Sequence, residues 1–403
     1  MVALNFKAQN IGIDLGTANT IVYLEDEGIV TREPSVVAKN IVTEEIIAVG
    51  KSAFEMIGRT PENIVALRPM KDGVIADYNT TTAMLKYFIQ SIVGRSFFKP
   101  VVIICVPSGI TDVEKRAVLD ATKYAGAKEA YVVEEPFAAA VGAGLPVTDP
   151  TGSMIVDIGG GTTDVATISL GGIVNSRSIR VGGDELNESI VQHVRKTYNL
   201  LIGERTAEEL KITLGSASIE KAQGSMQVRG RDMVTGLPRV VEVPAKEIAV
   251  AMSEIIHQIL DAVKDVLEQT PPEISADVID HGIVLTGGAS SLAGVQELAQ
   301  EIFGVQVKTY IPEQMGMRNP IYATSMGLIK YAASLDDVHR IAQKGKPVTE
   351  PRPVQSTPQS APVQVQPTAP VQQPQEYEQE PTGEEQGFGA KVKNFFKMFI
   401  DEN

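Results

Sequence analysis

The chain has a single cysteine, Cys105, and no tryptophan in 403 residues. One thiol excludes an intrachain disulfide framework and a zinc cluster of cysteines, and points to a reducing compartment such as the cytoplasm. Long apolar runs are missing too. The opening Met1-Val-Ala-Leu-Asn-Phe-Lys-Ala-Gln-Asn10 lacks the hydrophobic stretch of a secretory signal, and no segment approaches the roughly 18 apolar residues of a membrane span. Basic charge is in deficit: 36 Lys and Arg face 50 Asp and Glu, for a net charge of −14. A nucleic-acid partner is therefore not expected, because a general binder needs a basic surface to displace counterions. At about 150 residues per domain, the length allows roughly two to three domains.

Apolar residues are also absent locally. Between Lys344 and Gly387 there is no Leu, Ile, Met or Phe, whereas nine of the 23 prolines and nine glutamines fall there. Such a stretch cannot bury enough apolar surface to offset its conformational entropy, so residues 344–387 are expected to be a disordered Pro/Gln-rich tether. The sixteen residues beyond, Phe388–Asn403, hold four of the eleven phenylalanines. Charge divides the same way: 30 basic against 42 acidic groups in residues 1–343, 3 against 6 in the tether, and 3 against 2 at the end. An acidic body carries a slightly basic, aromatic tip on a string.

Within the body, short apolar runs alternate with helical patterns, which predicts an α/β fold. Val101-Val-Ile-Ile-Cys-Val106 reads as a fully buried strand and makes Cys105 an inert core residue. Thr111-Asp-Val-Glu114 is a capping box that opens a helix running to Gly126. Met252, Ile256, Ile259, Val263 and Val266 recur at helical spacing and predict a helix over about Ala249 to Leu267.

Three glycine-rich turns follow β-type runs. The first is Ile11-Gly-Ile-Asp14-Leu-Gly16-Thr17-Ala18-Asn19-Thr20, followed by the apolar run Ile21–Leu24. The second, 143 positions on, is Ile155-Val-Asp157-Ile-Gly159-Gly160-Gly161-Thr162-Thr163-Asp164, followed by Val165–Leu170. Their shared Asp–Gly–Thr order predicts an internal duplication of two β-hairpins. A glycine turn lets backbone N–H groups approach a polyphosphate, because no Cβ intervenes and φ > 0 is free. The hydroxyls of Thr17, Thr20, Thr162 and Thr163 would add donors. Asp14 and Asp157 would repel phosphate directly, so they make sense only through a hydrated Mg²⁺. A plain tight hairpin explains either turn alone; the repetition favours two turns clamping one nucleotide. The third turn, Thr286-Gly287-Gly288-Ala289-Ser290, lacks an aspartate and precedes a helical pattern from about Leu292 to Phe303.

Taken together, Ile13–Thr20, Glu134-Glu-Pro136 with Ala138–Ala140, Val156–Thr163, Ser178–Arg180, Gly183–Glu185 and Ile202–Glu208 resemble the MreB family of bacterial actins. The resemblance covers nearly all of residues 10–335 and places the chain in the superfamily of actin, sugar kinases and heat-shock chaperone ATPases. It implies an actin-like bilobed ATPase built from two duplicated ribonuclease-H-like domains. Residues 1–343 would form that body, with lobe I over about 1–143 and lobe II over about 144–343. It also implies binding of ATP or GTP with Mg²⁺, slow hydrolysis and assembly into filaments that guide cell shape and cell-wall synthesis. Asp14, Gly16, Thr17, Ala18 and Asn19 would form the first phosphate loop; Asp157, Gly159, Gly160, Gly161, Thr162 and Thr163 would form the second. Gly183, Glu208, Lys211, Gly287, Gly288, Ala289 and Ser290 would complete the nucleotide site. Glu135 would orient the attacking water, helped by Thr162. Without the family, Glu134 and Glu135 read as a solvated acidic pair. The third turn departs from the pattern: many relatives have three glycines there, and this chain has two.

The tip has its own pattern. Phe388, Val392, Phe395, Phe396 and Phe399 fall within about 100° of a helix circumference, with Lys391, Lys393, Asn394 and Lys397 on the flanks and opposite side. An aromatic face with a lysine rim suits an in-plane helix on the anionic inner face of the cell membrane; docking on the body or on a partner protein is the alternative. Residues 344–403 have no counterpart in a typical member, and the tether with its terminal helix resembles the anchor of FtsA, a division-associated actin relative. That likeness gives a second reading, a membrane-tethered ATP-dependent division adaptor. Phe97 and Phe98, in a loop between basic residues, are a further candidate membrane contact or ordinary core.

Overall fold

A computed structural model describes residues 10–24, 27–93, 99–313 and 317–331. Two five-stranded sheets share one plan. The first comprises β1 (Asn10–Leu15), β2 (Asn19–Leu24), β3 (Gly28–Pro34), β4 (Val101–Val106) and β5 (Glu129–Glu134), in the order β5-β4-β1-β2-β3. The second comprises β6 (Ser153–Ile158), β7 (Thr163–Ser169), β8 (Gly172–Ile179), β9 (Ile283–Thr286) and β10 (Val307–Thr309), in the order β10-β9-β6-β7-β8. Each is an antiparallel three-strand meander extended by two parallel strands. The duplication read from two short motifs thus extends over ten strands.

Helices cover the sheets: α1 (Tyr78–Val93), α2 (Asp112–Tyr124), α3 (Glu135–Gly142), α4 (Gly183–Tyr198), α5 (Glu204–Leu214) and α6 (Ala245–Gln269). With helices available for both faces, central strands need no polar side, and every residue of β1 and β6 is buried. The Thr111 capping box forms in full, and the chain leaves α2 through Gly126 at φ +124°. Helix α6 buries its five predicted apolar positions but starts four residues earlier than the apolar spacing shows. Its first turn, Ala245-Lys-Glu-Ile248, follows Pro244 and carries Glu247 near the positive end of the helix dipole. The helix expected from about Leu292 to Phe303 forms over Val295–Phe303, starting after Gly294 at φ +83°, and a 3₁₀ turn, Gly288–Ser291, precedes it.

Helix α3 is wedged between the sheets. Ala138 packs with Ile103, Cys105 and Leu328 on the first side, whereas Ala139 and Ala140 pack with Ile155, Ala166 and Ile168 on the second. Larger side chains would hold the backbones apart, which is the physical content of the Ala138–Ala140 run. A second helix, 323–331, crosses α3 closely. No helix among the described residues is long and apolar enough to cross a membrane. The tether, the tip with its lysines and phenylalanines, and Phe97 and Phe98 lie outside the described residues.

Candidate functional site

The β1–β2 and β6–β7 turns meet across a cleft of about 220 Å³. Their glycines are needed for close approach rather than for left-handed backbone: none of Gly16, Gly159, Gly160 or Gly161 has positive φ. A Cβ on Gly160 would lie 2.5 Å from the Ala18 Cβ, and one on Gly161 would lie 2.7 Å from Thr17 Oγ1. Gly287 combines both demands, with φ +85° and a Cβ position 2.3 Å from Asp157 Oδ1. The cradle leaves room for backbone and for a ligand's oxygens, not for side chains.

Cross-links hold the two sides of the cleft in place. Arg68 Nη1 donates to the Ala18 carbonyl at 3.1 Å, and its Nη2 pairs with Glu204 at 3.0 Å. Glu204 begins α5, the helix that brings Glu208, Lys211 and Ile212 to the cleft. Lys211 Nζ donates to the Gly183 carbonyl at 2.6 Å, and burial lowers its pKa. The Gly73 N–H donates to Thr17 Oγ1 at 3.0 Å.

Most of the residues singled out by sequence come together here. Asp14, Gly16, Thr17, Ala18, Asn19, Glu135, Asp157, Gly159, Gly160, Gly161, Thr162, Gly183, Glu208, Lys211, Gly287, Gly288 and Ala289 all line the cleft. Thr163 and Ser290 do not: their hydroxyls donate to the carbonyls of Val181 and Gly287, each at 2.7 Å. Thr20, expected as a phosphate donor, is fully buried and shares a hydrogen bond with Ser35. Strand alternation turns Thr20 and Thr163 away from the turn that precedes them. Cys105 is buried as expected but is more than core filling: its thiol reaches Asp14 Oδ1 at 3.4 Å and lines the cleft. The acidic pair divides, with Glu134 exposed and bonded to the Ser108 hydroxyl and Glu135 half-buried on the cleft wall.

Other residues were missed. Asp164 sits at the end of the second motif, yet its type alone gives it no role. It is 1% exposed; Oδ1 accepts from the Ser108 N–H at 2.9 Å, and Oδ2 is buried without a partner. Thr324 donates to Asp157 Oδ2 at 2.7 Å across 167 residues of chain, a contact no local pattern announces. Asp184 follows Gly183 into the cleft, where burial raises its carboxyl to about 6 against the opposing charges of Arg68 and Lys211.

The acidic cluster tests whether a divalent cation fits. Burial, and then the charge of Asp157, push Asp14 up to about 7. Burial pushes Asp164 up to about 7, and Asp157 to about 6 against the hydroxyls of Thr324 and Thr286. Glu135 is held well above the usual carboxylate range by burial and then by Asp164, Asp157 and Asp14. Among the described residues no three or more acidic, His or Cys side chains converge as a direct metal cage, so the chemistry of these mutually repelling buried carboxyls fits a divalent cation only through its waters.

The same cluster sets a pH dependence. Acids whose folded pKa lies above the unfolded 3.8 bind more protons when folded. Their contribution to stability is fully present below that value and is lost as pH rises through about 6 to 7. Asp77, Glu114 and Asp232, whose folded pKa values are lowered, change charge below this window. Nucleotide-free protein in EDTA should therefore melt at a higher temperature near about pH 5.5 than near about pH 7.5. Calorimetry that finds the reverse order would count against a repulsive cluster.

The family model described as MreB/Mbl protein matches residues 8–338. The chain is 47% identical over 338 residues to the cell shape-determining protein Mbl of Bacillus cereus, covering 84% of this chain and 98% of that protein. It is 48% identical over 306 residues to the cell shape-determining protein MreB of Escherichia coli, covering 74% and 88%. Among solved structures, MreB 5 of Spiroplasma citri bound to AMPPNP superposes with a TM-score of 0.78 at 34% identity, covering 84% of this chain and all of that one.

Proposed function

Since the chain belongs to the MreB/Mbl family, we propose that it is a nucleotide-binding bacterial actin that determines cell shape by assembling into filaments at the membrane. The observation that carries the reading is the pair of duplicated turns closing on buried carboxylates. The matched relatives bear cell-shape names, and the division-adaptor alternative is set aside.

On this reading the cleft residues divide the work. Backbone N–H groups at Gly16–Asn19 and Gly159–Gly161, with the hydroxyls of Thr17 and Thr162, bind the phosphates. Glu208, Lys211 and the Gly287–Ala289 turn face the sugar and base of ATP, with GTP as the alternative. Asp14 and Asp157 would hold a hydrated Mg²⁺, with the charge of Asp164 behind them, and the bound cation would supply the neutralisation of phosphate charge that phosphoryl transfer requires. Glu135 orients and deprotonates the attacking water, with Thr162 placing the same water. Slow hydrolysis is the activity expected of such a site.

Self-association is the main partnership, with cell-wall synthesis proteins as further partners. The tether 344–387 and tip 388–403 carry the filament to the inner face of the membrane; Phe388, Val392, Phe395, Phe396 and Phe399 enter the lipid and Lys391 and Lys397 meet anionic headgroups. One such short helix binds weakly, and a filament carrying many binds tightly through avidity.

Sedimentation tests both halves. With ATP and Mg²⁺ the full chain should pellet, and anionic liposomes should recruit it; truncation after Gly387 should keep the first and lose the second. No pellet under any nucleotide condition overturns the filament. Undiminished liposome binding by the truncated chain overturns the tip as anchor and moves the test to Phe97→Ala with Phe98→Ala.

A further inference from the structure

The two sheets place a donor beside each phosphate-turn aspartate. On β6, Asp157 is paired with Thr286 of the neighbouring parallel strand β9. On β1, Ile13 is paired with Ile104 of β4, which brings Asp14 level with Cys105. The copies differ in what else reaches the carboxylate. Asp14 has the long thiol contact of Cys105. Asp157 has a short hydroxyl bond from Thr324 to Oδ2, with both residues less than 5% exposed.

Thr324 belongs to neither sheet. It lies in the first turn of helix 323–331, and that turn is fixed from both ends. On one side Asn319 Oδ1 caps the preceding 3₁₀ turn by accepting from the Ile321 N–H at 3.0 Å. On the other, Gly327 sits so close to α3 that a Cβ there would be 1.8 Å from the Ala138 carbonyl oxygen. The donor is therefore anchored on both sides, and its hydroxyl bond orients the carboxylate. With Oδ2 bonded to Thr324, Oδ1 is the oxygen next to the Gly287 turn, and Asp157, Gly287 and Thr324 all line the cleft.

We propose that Thr324 is a positioning residue for the metal-nucleotide: its hydroxyl fixes the rotamer of Asp157 so that one oxygen always faces the hydrated cation. The inference rests on the reading of Asp157 as the Mg²⁺-facing carboxylate. It also assigns helix 323–331 a job in the site, a part of the chain in which no glycine or aspartate motif occurs. Partners that orient a metal-binding group typically change metal affinity by about 10–100-fold when removed.

The test uses the full chain, a fluorescent ATP analogue and a Mg²⁺ titration, reading the rate of analogue release. In Thr324→Val, the Mg²⁺ concentration giving half-maximal slowing of release should rise about tenfold, while analogue affinity in EDTA stays at the wild-type value. Thr324→Ser, which keeps the hydroxyl, should restore the titration. Should the valine variant misfold by circular dichroism, Thr324→Ala supplies the same comparison. A wild-type titration in Thr324→Val or Thr324→Ala, with Asp157→Asn shifted, overturns the positioning role. So does a serine variant as defective as the valine one, since that effect would be steric. Asp157→Asn titrating as wild type would instead overturn the metal reading beneath the proposal.

Discussion

Replacing Glu135 with Gln should slow hydrolysis of bound ATP by about 10²-fold or more and leave the nucleotide bound. Glu135 is the first residue of α3, immediately after β5 ends at Glu134 and just before Pro136, so the strand-to-helix junction aims it at the cleft. It is held well above the usual carboxylate range by burial and by three neighbouring aspartates. That environment makes it a good proton acceptor once the cluster's repulsion is neutralised by a cation. Glutamine keeps the shape and some hydrogen bonding but cannot take a proton. Single-turnover phosphate release measures the loss, and a fluorescent analogue measures retention. Glu134→Gln is the internal comparison, because that side chain is exposed and bonded to Ser108; it should turn over normally. Normal turnover in Glu135→Gln would mean that the base is misassigned.

Why some of this site was legible in sequence and some was not follows from how far apart the interacting residues lie. The duplicated turns could be read because every residue of each lies within ten positions, and because the same fold constraint was imposed twice. The Ala138–Ala140 run could be quoted as a motif, but its meaning, a helix pressed between two sheets, appears only with the neighbours Cys105 and Ile155 in view. Thr20 and Thr163 were assigned on residue type, and the strand's alternation sent both the other way. Asp164 and Thr324 were missed for a different reason. A buried carboxylate or hydroxyl is ordinary in sequence, and only its partner, Ser108 or Asp157, reveals what it does. Cys105 shows the same limit, since core burial and contact with Asp14 are compatible and only the first was read.

Stability should depend most steeply on the crossing of α3 with helix 323–331. Ala138 and Gly142 on one helix face Ala323 and Gly327 on the other, each pair four residues apart and so on one side of its helix. A Cβ on Gly142 would lie 1.8 Å from the Ala323 carbonyl oxygen and 2.7 Å from its carbon. The clashing atoms are backbone, so no rotamer change relieves them and the helices must separate. We expect Gly142→Ala to cost about 3 kcal/mol, which for a body of this size lowers the melting temperature by about 4–5 °C. Gly172→Ala is the control: Gly172 has no positive φ and its Cβ would meet nothing within 4 Å. The helices that would part carry Glu135 at the start of one and Thr324 in the first turn of the other. Gly142→Ala should therefore also slow hydrolysis at temperatures where the protein remains folded, a loss that Gly172→Ala should not show. If the alanine variant melts like wild type, the two helices are not packed backbone to backbone, and the placement of Glu135 and Asp157 has to be sought elsewhere in the fold.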